Sequence, residues 1–148
     1  MKIIVDADAC PVKNIIKKSA SKYSIPVIMV CDTSHRISDD YCKVVNVDKS
    51  ADSADIYLIN LTEKGDLVIT QDYGVAALAL GKQAYAVNNY GVIYDDNNID
   101  KLLFERFLGK KVRRAGGRTQ GPKKRSVKDD IAFENTLENY LNNFLNGY

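Results

Sequence analysis

Short runs of aliphatic and β-branched residues recur along this chain, separated by helical stretches, and none shows a clean apolar/polar alternation. The runs are Lys-Ile-Ile-Val at 2–5, Pro-Val-Ile-Met-Val-Cys at 26–31, Lys-Val-Val-Asn-Val at 43–47, Leu-Val-Ile-Thr at 67–70 and Ala-Tyr-Ala-Val at 84–87. Strands that bury both faces read as continuous apolar runs, whereas a half-solvated antiparallel sheet alternates, so the pattern predicts a mostly parallel sheet covered on both sides. Between the runs, Val12, Ile15, Ile16, Ala20 and Tyr23 follow Pro11 at helical spacing and predict a helix over 11–23. Further helices are expected over 52–62, 73–81, 99–108 and 129–146, the last with Leu137, Tyr140, Leu141, Phe144 and Leu145 along one stripe. The fold class is α/β, and 148 residues are read as a single domain spanning 1–148.

Charge is distributed unevenly, although the formal net charge is only +2. Residues 110–125 hold eight of the 21 basic residues and no acid, leaving 13 basic against 19 acidic residues elsewhere. An acidic body thus carries one basic segment at 109–127, where Gly109, Gly116, Gly117, Gly121 and Pro122 are expected to break regular structure. The three cysteines form no Cys-x-x-Cys pair and the one histidine is His35, which disfavours a Cys/His zinc site or a disulfide framework. Cys10, Cys31 and Cys42 read as buried apolar filler; Cys10 also stands at a predicted helix start, where a thiolate would be stabilised. No apolar run nears the roughly 18 residues needed to cross a bilayer, and Asp6 and Asp8 interrupt any leader-like segment, so a soluble, cytoplasmic protein is expected, with no membrane partner.

Acids mark the predicted strand ends. In a parallel sheet all carboxyl ends lie on one edge, where ligands bind. Asp6-Ala7-Asp8 follows the first strand and Thr70-Gln71-Asp72 ends the fourth. Residues two apart in an extended chain project to the same side, ~6.6 Å apart, so Asp6 and Asp8 can face one site. Asp52 and Asp55, three apart on a predicted helix, also share a face. Singly, Asp8 and Asp72 read as helix caps or surface residues and Asp52 as a helix-start residue. Together, carboxylates brought within ~4 Å repel by about 4 kcal/mol per pair at an effective dielectric of 20, a cost that a divalent cation removes. All-oxygen coordination selects Mg²⁺ or Mn²⁺, ions suited to phosphoryl chemistry.

Four motifs, in order, carry a resemblance: Val5-Asp6-Ala7-Asp8-Ala9-Cys10-Pro11-Val12-Lys13, Asp52-Ser53-Ala54-Asp55, Ile69-Thr70-Gln71-Asp72-Tyr73-Gly74, and Gly116-Gly117-Arg118-Thr119-Gln120-Gly121-Pro122. Together they resemble the YaiI/YqxD family of uncharacterised bacterial proteins, over nearly the whole chain, and that family looks like a branch of the PIN-like nucleases. The resemblance implies a three-layer α/β/α sandwich with a C-terminal helix, and metal-dependent cleavage of phosphodiester bonds, with RNA or single-stranded nucleic acid as substrate. It implies Asp6, Asp55 and Asp72 as ligands of Mg²⁺ or Mn²⁺, with Asp52 as a neighbouring ligand and Asp8 assisting catalysis. Residues 73–81 carry no further acid, where many PIN domains have one.

A nuclease must hold a polyanion against acids, and Arg113, Arg114, Arg118, Thr119, Lys123, Lys124 and Arg125 are the candidates for that contact, with His35 and Arg36 in the loop after the second strand. Two other readings stay open. Asp6-x-Asp8 after an apolar strand also opens the haloacid-dehalogenase motif, with Asp6 as nucleophile of a phosphatase. Alternatively the basic segment binds RNA without catalysis and the acids merely cap helices.

Overall fold

The computed structural model describes residues 1–8, 10–32, 39–48, 53–117 and 124–147. Ile3, Ile4 and Val5 are fully buried at the centre of strand β1 (Ile3–Asp6), the pivot of a six-stranded sheet. On one side β1 pairs in parallel with β2 (Val27–Asp32), which pairs with β3 (Lys43–Val47). On the other side it pairs in parallel with β4 (Leu67–Ile69), followed by β5 (Tyr85–Val87). A two-residue strand that the sequence pattern does not foretell, β6 (Ile93–Tyr94), closes the edge antiparallel to β5. The order β3-β2-β1-β4-β5-β6 means that the chain winds outward from β1 and then restarts beside it at β4. The crevice between the carboxyl ends of β1 and β4 is therefore the topological switch point.

Helices cover both faces, as continuous apolar strands require. Alternation along β1 sends Ile3 and Val5 to one core and Ile4 to the other. The first core is roofed by α1 (Lys13–Lys22) through Ile16 and Ala20, and by α5 (Val127–Leu145) through Phe133, Leu137 and Leu141. The second is roofed by α2 (Ser53–Leu61) with Leu58, α3 (Tyr73–Gly81) with Val75, Ala76 and Ala79, and α4 (Ile99–Arg114) with Ile99. The result is a three-layer α/β/α sandwich with a C-terminal helix. At the opposite edge of the sheet, Lys2 pairs with the buried Asp66 at 2.6 Å and pins the starts of β1 and β4 together. No helix among the described residues is long and apolar enough to cross a membrane.

Two local expectations are corrected. The fourth helix does not stop near residue 108 but runs through Gly109 to Arg114. Its true terminator is Gly116-Gly117: Gly116 has φ +84°, its N–H donates to the carbonyl of Arg113, and the N–H of Gly117 donates to that of Val112. This is the double hydrogen bond that closes a helix on a left-handed glycine. Lys111, Arg113 and Arg114 in the last turn favour the same helix, since cations stabilise its negative end. The other correction concerns Asp8, which does not cap α1; Val12 holds that position without a side-chain bond.

Candidate functional site

Asp6 continues the parity of Ile4, so its carboxylate leaves the end of β1 on the side roofed by α2 and α3. It is held there by Thr70. The Thr70 hydroxyl, on a residue only 1% exposed, donates to Asp6 Oδ2 at 3.0 Å and accepts the N–H of Asp72 at 3.0 Å. The Tyr94 hydroxyl donates to the Thr70 carbonyl at 3.2 Å, fixing the turn from beneath. Thr70 thus ties the end of β1 to the start of α3.

Asp72 caps α3, as its place in the sequence suggests. Its Oδ1 accepts the N–H groups of Gly74 at 2.8 Å and Val75 at 3.3 Å, and Arg106 Nη1 from α4 at 3.1 Å. Every described side-chain bond of Asp72 falls on Oδ1. Asp8, which is not the N-cap of α1, accepts the backbone N–H of Asp32 on Oδ2 at 3.1 Å, bridging the ends of β1 and β2. Asp55 projects from the first turn of α2.

Electrostatics show these acids sharing one region. Burial, together with the charges of Asp55, Asp8 and Asp72, pushes the Asp6 carboxyl from its ordinary value up to about 6, against the opposing pull of the Thr70 hydrogen bond. Asp55 and Asp72 also line an open cleft of ≈ 570 Å³ whose other walls include Ile56, Leu78 and Arg106. Among the described residues, however, no three acidic, cysteine or histidine side chains stand close enough to grip one ion between them. The donor set suits a hard cation in its chemistry, all oxygen and acidic. An ion at this edge would take one or two carboxylates and complete its shell with water, as Mg²⁺ commonly does.

Asp6, Asp8, Asp55 and Asp72 are therefore gathered at one edge, while Asp52 lies outside the described residues. Of the cationic candidates, Arg118, Lys123, His35 and Arg36, with Thr119, also lie outside them. Arg113, Arg114 and Lys124 are exposed, the first two on the last turn of α4. Arg125 is engaged by its own chain: Nε pairs with Asp130 at 2.8 Å, Nη2 donates to the Asn89 carbonyl at 2.8 Å, and the guanidinium lies 5.1 Å from the Tyr90 ring centre. All three cysteines are buried, as expected. Burial raises the Cys10 thiol above its ordinary value, so the stabilised thiolate expected there is not found.

Three residues near these acids escape a reading of the sequence. Asp32 ends β2 with the parity of Ile28 and Val30, so it faces the same side as Asp6; an acid directly after an apolar run was the available signal. Thr70 shows itself only as the first member of Thr-x-Asp. Arg106 carries no signal, because only tertiary packing brings α4 to Asp72.

The family model described as "Uncharacterized BCR, YaiI/YqxD family" matches residues 4–143. A UPF0178 protein of Ruminiclostridium cellulolyticum is 62% identical over 137 residues, covering 93% of this chain and 90% of its own. A UPF0178 protein of Clostridium tetani is 52% identical, covering 93% and 94%, and one of Lachnoclostridium phytofermentans is 50% identical with the same coverage. No solved structure matches the chain. With the four motifs in order and a match that runs from β1 into α5, this chain belongs to the YaiI/YqxD family.

Proposed function

We propose that this protein is a PIN-like, Mg²⁺- or Mn²⁺-dependent nuclease that hydrolyses phosphodiester bonds of RNA or single-stranded nucleic acid. The observation that carries the reading is the Asp6 carboxyl, raised to about 6 at the switch point by burial and by Asp55, Asp8 and Asp72. Carboxylates perturbed by burial and by one another cluster at sites that bind a counter-charge or do chemistry. When bound, the cation supplies Lewis-acid polarisation of a phosphate and a water of lowered pKa. Asp6 Oδ1 and Asp72 Oδ2 are the oxygens that would hold it, since Thr70 engages Asp6 Oδ2, and the α3 N-terminus and Arg106 engage Asp72 Oδ1. Asp55 lines a cleft together with Asp72. Asp8 stays oriented by the Asp32 N–H. The exposed Arg113, Arg114 and Lys124 would hold flanking phosphates.

The test is cleavage of a mixed RNA pool with Mn²⁺ and with EDTA. Cleavage should require the metal, and Asp6→Asn or Asp72→Asn should lower it by at least about a hundredfold, an effect on the scale of removing a catalytic electrostatic group. Wild-type rates in both variants would refute the reading. The lack of a ready three-ligand cluster among the described residues favours, as the second reading, a non-catalytic nucleic-acid-binding protein. That protein would bind RNA equally well in EDTA and yield no products.

A further inference from the structure

The cleft between α2, α3 and α4 has features that a metal centre alone does not require. Its lining joins the acids Asp55 and Asp72 to Ile56 and Leu78, which are 60% and 58% exposed and offer apolar surface. Among its described lining residues the one cation is Arg106, which comes from a helix 34 positions along the chain from Asp72. Its described bond to Asp72 uses Nη1 alone, although a guanidinium carries five donors in a planar fork. Gly74 leaves room beside the acid of this pair: a Cβ there would crowd Asp72 Oδ1 at 3.1 Å and touch Arg106 Nη1 at an ordinary 3.9 Å. A cleft of this volume is in the range that encloses a small organic ligand.

We infer that Arg106 is the phosphate-holding residue of a nucleotide subsite, with one base of a single strand laid against the Ile56–Leu78 wall. The inference takes from the nuclease reading only its class of ligand. A phosphate entering beside Asp55 and Asp72 meets repulsion, and Arg106 is placed to offset it through paired hydrogen bonds to phosphate oxygens. Arg106 would exchange one Asp72 oxygen for the phosphate, so that strand binding loosens the Arg106–Asp72 pair. Every base has an apolar face that can rest on aliphatic surface, more weakly than on an aromatic ring, and contact through that face does not depend on sequence.

The experiment is fluorescence anisotropy of a fluorescein-labelled, ten-nucleotide single-stranded RNA in EDTA and low salt, where no turnover occurs. Arg106→Gln should weaken binding about tenfold or more, the loss expected for a charge-assisted pair, with Arg106→Lys intermediate. Lys101→Gln removes the same charge from an exposed position of α4 outside the cleft lining and should cost less than about twofold. Ile56→Ser should weaken binding severalfold with an unchanged circular-dichroism spectrum. Adenosine 5′-monophosphate should bind more weakly than the strand, and Arg106→Gln should reduce that binding too. Equal losses in Arg106→Gln and Lys101→Gln would overturn the inference, as would a mononucleotide binding as tightly as the strand. If the Arg106 effect is found and wild type yields no products with Mn²⁺, the subsite stands and the nuclease reading falls.

Discussion

Asp6 is placed where a carboxylate is expensive, and the sign of that expense is measurable. Its pKa in the fold is about 6, above its ordinary value of 3.8. Folding therefore takes up a proton between pH ~4 and ~6, and the stability tied to that proton is fully present below ~4 and lost as pH rises through ~6. Asp6→Asn keeps an acceptor for the Thr70 hydroxyl and removes the charge. At pH 8 it should be more stable than wild type, by up to about 3 kcal/mol, while at pH 4 the two should coincide. Chemical denaturation at the two pH values checks this; an Asn variant less stable at pH 8 would mean that the charge is already compensated. A gain in stability accompanied by loss of cleavage in the same variant would be the stability–activity trade-off of a functional site.

At the scale of elements, the strands and most helices were legible because burial on both faces writes itself into the sequence as apolar runs. β3 lies where its Lys-Val-Val-Asn-Val run predicts, and α3 spans the predicted 73–81. The misread end of α4 came from treating Gly109 as a breaker. A glycine inside a helix costs only ~1 kcal/mol, less than a good glycine cap and favourable terminal charges return. β6 was illegible because two residues make no pattern, and Arg106 because its partner is distant in sequence. The acids were legible as strand ends, but whether three would meet around one point depends on side-chain positions that spacing does not fix. Gly91 gives an element-scale test. It has φ +83°, and a Cβ there would lie 2.7 Å from Thr136 Oγ1 and 2.8 Å from the Ala132 carbonyl oxygen of α5. Gly91→Ala should destabilise by about 2–4 kcal/mol through strain plus overlap. Gly65→Ala, with φ +86° and open space around it, should cost only ~1 kcal/mol. Equal losses in urea unfolding would show that α5 yields at no cost.

For the whole molecule, the sheet order makes the site. Winding outward from β1 and restarting at β4 opens one crevice, and β1, β2 and β4 each lead into acids at that edge: Asp6 with Asp8, Asp32, and Asp72. Among the described residues the basic segment contributes Lys111, Arg113 and Arg114 to the last turn of α4, while Arg106, earlier on the same helix, reaches Asp72. The central claim is that the acids at this edge repel one another and gain from a hard cation. Its most direct measurement is an NMR titration of the aspartate side-chain carbonyl carbons, with Asp6 assigned through Asp6→Asn, in EDTA and in Mg²⁺. Asp6 should titrate near 6 in EDTA and at least about one unit lower with Mg²⁺, since a nearby cation favours the charged form. A midpoint at the ordinary aspartate value, or one near 6 that Mg²⁺ leaves in place, would contradict the claim.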